Sequence, residues 1–228
     1  MRAPQAYRLR NQQLWLSATR SVFWEEEKAL ILADLHFGKT GHFRKAGLAV
    51  PPAVYKEDLQ RLFDQIQYYQ PSQLIVVGDL FHSRVNKELE LFQKWRENFS
   101  SLVIHLIKGN HDILEDGWYK AAGIEVSHPS LEKNHFQFIH DIETQRDPGK
   151  AKKKRQIGSS QYYFSGHIHP GIRINGAGKQ SLCFPCFYFA KNYAVLPAFS
   201  RFTGVALIDP EKTESVFAIV DDRVMQIY

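Results

Sequence analysis

Ala29-Leu30-Ile31-Leu32-Ala33-Asp34-Leu35-His36 and Leu74-Ile75-Val76-Val77-Gly78-Asp79 decide how this chain folds. In each, a continuous apolar run ends at an acid. A run without alternation suits a strand buried on both faces, as in a parallel sheet covered by other layers. Leu102 to Ile107 repeats the pattern and ends at Gly109-Asn110-His111-Asp112. Two helical patterns lie between the runs. One opens at Pro51-Pro52, where proline is tolerated in a first turn, and puts Val54, Tyr55, Leu59, Leu62, Phe63 and Ile66 on one face. The other covers about 86–98, with Asn86 as cap and Leu89, Phe92 and Trp95 on its buried face. The order strand, helix, strand, helix, strand implies parallel strands with right-handed crossovers.

Away from this unit the pattern changes. Residues 13–24 read as two strands around a turn at 17–21. From about residue 124 short strands dominate, at 136–140, 161–165, 182–189, 205–208, 216–220 and 224–227. An α/β first half and a β-rich second half predict an α/β (α+β) fold of two sheets face to face with helices outside. No repeat or linker interrupts it, so 1–228 reads as one domain. Residues 145–160 stand apart: Lys150, Lys152, Lys153, Lys154 and Arg155 among Gly, Ser and Pro read as a mobile, solvated loop. Contact with a nucleic-acid backbone is the competing reading of the same charges.

A hydrophobic share of 44% supports a sizeable core and excludes a disordered chain. The net charge of +5 suits a polyanionic partner. Two cysteines are no disulfide framework, which fits a reducing compartment. Neither a signal-type apolar segment nor an 18-residue apolar run is present, so the expected location is the cytoplasm, away from membranes. Cys183-Phe184-Pro185-Cys186 has redox spacing, but its neighbours read as a strand rather than a helix start. Both cysteines are expected to be buried and structural.

The chemistry lies in five short motifs: Asp34-Leu35-His36, Gly78-Asp79, Gly109-Asn110-His111-Asp112, His140, and Gly166-His167-Ile168-His169. Asp, Asn and His suit divalent metals, and ligands in open α/β sheets collect at the carboxyl ends of strands. Asp34 and His36, two apart past a strand end, can turn to one ion. Gly166 permits a tight backbone, so His167 and His169 can face different ions. Two cations about 3.5–4 Å apart need a carboxylate between them. Asp79, central in chain order, is the expected bridge. Alone, a Gly-Asp is more often a turn and a lone His140 more often a core histidine. Five such motifs in this order, each at an expected strand end, point to a two-metal centre.

The order D-x-H, GD, GNHD, H, GHxH over residues 34–169 resembles the calcineurin-like metallophosphoesterase superfamily. Asp34-Leu35-His36-Phe37-Gly38-Lys39, His42-Phe43-Arg44-Lys45-Ala46-Gly47 and Val50-Pro51 look like the bacterial DNA-ligase-associated metallophosphoesterases. So do Pro185-Cys186-Phe187 and Leu196-Pro197-Ala198-Phe199. The resemblance implies a four-layer α/β/β/α sandwich of two mixed sheets flanked by helices. It implies one metal on Asp34, His36, Asp79 and His169, and a second on Asp79, Asn110, His140 and His167. His111 would face the scissile phosphate and protonate the leaving oxygen, with Asp112 orienting it. The implied activity is phosphodiester hydrolysis, foremost of DNA, by a metal-activated hydroxide attacking in line. A repair role beside a ligase and a helicase is also implied. Mn²⁺ fits the mixed N/O ligands first, with Fe and Zn as alternatives. Arg44 and Lys45 are expected to clamp substrate phosphate, against the alternative of plain solvated loop charges. His82, in a GDLFH string shared with the nuclease branch, reads equally as a substrate-site or a packing histidine. Two other functions compete: hydrolysis of small nucleotides or phosphomonoesters, and a protein-interaction module on the same fold. The intact ligand set and His111 weigh against the last. Oligomeric state is left open by the sequence.

Overall fold

The structure is a computed structural model that describes residues 2–37, 53–82, 87–145, 161–176 and 180–228; the side chains of 53–55, 87–88 and 144–145 lie outside that description. Arg44, Lys45, the Pro51-Pro52 helix start, the Asn86 cap and the basic stretch 146–160 therefore fall outside the described residues.

The first sheet follows chain order: β1 (Gln5–Leu9), β2 (Gln12–Ser17), β3 (Ser21–Trp24), β4 (Ala29–Leu32), β5 (Gln73–Val77), β6 (Val103–Ile107) and β7 (Ile124–Ser127). Pairing is antiparallel from β1 to β4 and parallel from β4 to β7. The helices α1 (Ala53–Tyr69), α2 (Lys87–Glu97) and α3 (Asp116–Ala121) connect the parallel strands. Side chains alternate across each strand. Leu30, Leu32, Leu74, Val76, Ile104 and Leu106 pack against Leu62, Ile66, Leu89, Phe92 and Tyr119 of the helices. Ala29, Ile31, Ile75, Val77 and Ile107 face the other way, onto Phe136, Phe138, Phe164, Phe187 and Phe217 of the second sheet. Both faces are dry, which is why these runs carry no polar alternation.

The second sheet is built from β8 (Ser130–Lys133), β9 (Phe136–Ile139), β10 (Tyr162–Ser165), β11 (Pro170–Asn175), β12 (Ser181–Phe189), β13 (Tyr193–Val195), β14 (Ala206–Leu207), β15 (Ser215–Val220) and β16 (Arg223–Gln226). Its main path runs β14-β11-β12-β13-β10-β9-β8, with β15 and β16 added beside β12. Pairing is mixed, parallel at β9-β10-β13 and antiparallel at β11-β12-β15-β16. The outer face carries a smaller cluster around Ile172, Cys186, Val216 and Ala218. Two mixed sheets flanked by helices are thus the observed architecture, as expected. The three described α-helices all serve the outer face of the first sheet.

The sequence reading missed β1, α3, β7, β8, β11 and β13. α3 has six residues, too few for a helical period to show. β11 begins Pro-Gly, which reads locally as a turn. β13 has three residues and depends on its neighbours β10 and β12. One expectation is overturned: Cys183 is exposed, while Cys186 is buried. Three residues apart on a strand, the two cysteines point to opposite faces. Burial pushes the Cys186 thiol up to about 12. Among the described residues no helix is long and apolar enough to cross a membrane.

Candidate metal centre

Each motif sits just past a strand end, and the motif loops hold one another. The Asp34 N–H donates to Gly78 O (3.1 Å) and the His36 N–H to Asp79 O (2.9 Å). The Gly166 N–H donates to His140 O (3.0 Å). The Asp34 carboxylate accepts the His167 N–H (3.0 Å). These turns are tight. Asp34, His36, Asp79, His167 and His169 all have left-handed backbone, with φ between 49° and 66°. Non-glycine residues rarely adopt that region, and five together mark a site where surrounding contacts enforce an uncommon geometry. Nothing in the sequence announced it.

Two clusters result. Asp34, His36 and His169 form one, and Asp79, His140 and His167 the other, each with ligand atoms within 4.8 Å of one another. In the first, His36 Nε2 lies 3.4 Å from His169 Nε2, and His169 Nε2 lies 3.5 Å from Asp34 Oδ1. In the second, His140 Nδ1 is 3.2 Å from the carbonyl of Val77. A carbonyl only accepts, so Nδ1 carries the proton and Nε2 keeps its lone pair. That lone pair meets Asn110 Oδ1 at 3.1 Å, His167 Nδ1 at 3.2 Å and Asp79 Oδ1 at 3.5 Å. A carboxylate and an imidazole lone pair that face each other repel unless a cation stands between them. Ligand bonds of about 2.1 Å would set neighbouring donor atoms about 3.0–3.4 Å apart, so the spacing fits a divalent ion.

Asp79 stands between the clusters. Its Oδ1 faces His140, and its Oδ2 lies 4.0 Å from His36 Nδ1. The His111 N–H donates to Asp79 Oδ1 (2.9 Å). The His111 ring lies 4.1 Å from the His82 ring and 5.5 Å from the His36 ring, between centroids. His82 therefore belongs to this group of rings rather than to the distant core. Asp112 is buried, and its carboxylate accepts the N–H groups of Phe81 (3.0 Å) and Gly109 (2.9 Å). It grips the loop that carries His111 instead of bonding the His111 ring. Burial pushes the Asp112 carboxyl up to about 7 against the pull of those two donors.

The motif glycines have a steric reason that the sequence left open. A Cβ on Gly78 would stand 1.9 Å from His140 Nδ1, one on Gly109 2.2 Å from Asp79 Oδ1, and one on Gly166 2.7 Å from Asp34 Oδ2. Each glycine makes room for a ligand. A groove of about 840 Å³ also reaches Gly109, but Asp116 and Glu125 line it along with Lys108, Lys120 and His128. It is bounded by both signs of charge and lies to one side of the metal clusters.

The sequence profile of the calcineurin-like phosphoesterases (Metallophos) matches residues 28–169, more than half of the chain. The chain belongs to that family. It is a metallophosphoesterase-type hydrolase with two candidate sites for divalent metals. Over 98% of its length it is similar to the whole of the crystal structure of Pseudomonas putida nuclease MPE, with 27% identity and a TM-score of 0.79. A fainter likeness, 13% identity and TM-score 0.44 over 87% of this chain and 97% of the other, is to Yfce, a phosphoesterase from E. coli. Among curated proteins it is 26% identical over 112 residues to a Danio rerio transmembrane protein with metallophosphoesterase domain. That match takes in 46% of this chain, which spans about a quarter (23%) of the length of that relative.

Proposed function

We propose that this calcineurin-like phosphoesterase is a two-metal phosphodiesterase that cleaves DNA with Mn²⁺, in the manner of the DNA-ligase-associated metallophosphoesterases its sequence resembles. The observation that carries the reading is the pair of adjoining clusters, Asp34, His36 and His169 beside Asp79, His140 and His167, with one oxygen of Asp79 3.5 Å from His140 Nε2 and the other 4.0 Å from the His36 ring. Asp34, His36, Asp79 and His169 would hold one ion, and Asp79, Asn110, His140 and His167 the other. Bound there, the ions supply neutralisation of the phosphodiester charge and a water acidic enough to act as nucleophile near neutral pH.

The chain's own groups do the rest. Asp79 sets the separation of the two sites. His140 commits its Nδ1 proton to Val77 and presents Nε2. His111 holds a proton on its ring for the departing oxygen, the role of a general acid. His82, packed on His111, limits that ring's rotation. Asp112 anchors the loop through Gly109 and Phe81.

The step from phosphoester to DNA is supported by the end-to-end likeness to nuclease MPE and by the net charge of +5. In this reading Arg44 and Lys45 clamp substrate phosphates, and the protein works in the cytoplasm in DNA repair beside a ligase and a helicase. The deciding assay compares Mn²⁺-dependent hydrolysis of bis-p-nitrophenyl phosphate, p-nitrophenyl phosphate and single-stranded DNA, for wild type and His140→Ala. Diester and DNA cleavage that disappears in the variant is expected. Cleavage of the monoester alone would replace this reading with a small-substrate phosphatase. No turnover with any metal would leave an interaction module.

A further inference from the structure

Behind the Asp34 turn lies a largely buried cluster of Asp58 and Arg61, with Arg20 partly buried beside it. The Arg20 Nη1 donates to the carbonyls of Ala198 (3.1 Å) and Ser200 (2.8 Å). The Arg61 Nη2 donates to the carbonyl between them, that of Phe199, and lies 2.9 Å from Asp58 Oδ1. The Arg61 guanidinium also sits 4.2 Å above the Phe199 ring. Two arginines from separate elements thus hold three consecutive carbonyls. The N–H groups of the same segment meet the metal centre, where that of Phe199 donates to Ala33 O (2.8 Å) and that of Ser200 to Asp34 O (3.2 Å). Ala33 and Ala198 pair as a bridge.

We infer that Arg20 and Arg61 are positioning residues for Asp34, acting through the backbone of residues 198–200. Asp34 has φ of 55°, a conformation that persists only where surrounding contacts over-determine it. Its N–H is tied to Gly78 and its carboxylate to the His167 N–H, so the hold on its carbonyl by Ser200 completes the set. The arginine cluster is poorly suited to a merely stabilising role. Asp58 and Arg61 are both almost wholly buried, and Arg61 Nε and Nη1 are buried without hydrogen-bond partners. Stripping water from such a pair costs about as much as its attraction returns, so an apolar or neutral replacement of similar size is often neutral for stability. What the charges do contribute is directed hydrogen bonding to fixed carbonyls.

This inference rests on the two-metal reading above. The test is calorimetric titration of Mn²⁺ into wild type and into the volume-conserving double variant Asp58→Asn/Arg61→Met, both also in a His140→Ala background that cripples the other site. Wild type should bind two ions. Loss of a partner that orients a ligand typically weakens metal binding about 10–100-fold. The double variant should show that loss in the site built on Asp34, with its melting temperature nearly unchanged. A folded double variant that keeps both affinities would overturn the inference. So would equal weakening of both sites with a large fall in melting temperature, the mark of a structural role. If the double variant does not fold, Arg20→Met decides, since methionine keeps an unbranched stem and loses both hydrogen bonds to Ala198 and Ser200. Selective weakening there supports the inference, and unchanged binding refutes it. A wild type that binds no Mn²⁺ would remove the two-metal reading, and this inference with it.

Discussion

Gly109→Ala tests the metal centre with a single methyl group. Gly109 has ordinary backbone, so alanine brings no conformational strain. By itself the exchange should add about 0.4–1 kcal/mol by narrowing the unfolded ensemble. The new Cβ would stand 2.2 Å from Asp79 Oδ1, 2.6 Å from the Asp79 backbone nitrogen and 3.0 Å from its Cγ. Real Cβ contacts below 3.0 Å essentially do not occur, so the carboxylate oxygen must retreat by about 0.8 Å. That oxygen accepts the His111 N–H and faces His140, so the shift disturbs the proposed bridge and the proposed acid together. A misplacement of about 1 Å in such a site costs about 100-fold in rate. Overpacking costs about 1–3 kcal/mol, which the entropic gain partly offsets. At about 2–4 °C per kcal/mol, the melting temperature should fall by roughly 10 °C or less. The control is Gly117→Ala in α3, where a Cβ meets nothing within 4 Å. It should keep full activity and gain up to about 1 kcal/mol from helix propensity. The assay is kcat/KM on bis-p-nitrophenyl phosphate with Mn²⁺, alongside Mn²⁺ titration and thermal melts. A folded Gly109→Ala protein with wild-type turnover and metal affinity would refute the placement of Asp79 at the shared position.

Hydrolysis of a diester made chiral at phosphorus, run in isotopically heavy water, should invert configuration, because a single in-line displacement involves no enzyme-bound ester; retention would point to a covalent intermediate. A thiol reagent under native conditions should modify the exposed Cys183 and spare Cys186 until the protein unfolds. The buried thiol also makes an alkaline prediction. Its folded value, about 12, lies above the ordinary 9.0, so the neutral form is the one the fold favours. That contribution is whole below about pH 9 and is lost as pH climbs toward 12, because the unfolded chain releases its proton first. By pH 10 the loss is on the order of 1 kcal/mol. Denaturant titrations at pH 8 and 10 should therefore show a smaller decline for Cys186→Ala than for wild type, and equal declines would contradict the burial.

The sequence by itself determined the parallel core of the first sheet and the residues that chemistry would use. Buried parallel strands leave continuous apolar runs, so 29–33, 74–77 and 102–107 declared themselves, and the polar residue that ends each run declared the carboxyl edge of the sheet. The motif order and the family resemblance then nominated all seven candidate ligands together with His111. Some short elements stayed hidden: the six residues of α3 are too few for a helical period, and the three of β13 too few for an alternation. Which ligands meet was implied by the motifs and the resemblance; the tertiary structure supplies how they are brought together. Asp34 and His169 are 135 positions apart and share one cluster, while His167 and His169 are neighbours and divide between two. It also decided the left-handed backbone of five ligands and the gaps that Gly78, Gly109 and Gly166 keep open, since both depend on what packs opposite. The grip of Arg20 and Arg61 could not be read at all. Their partners are backbone carbonyls up to 180 positions away, and a carbonyl is common to every residue, so no choice of side chain records the contact.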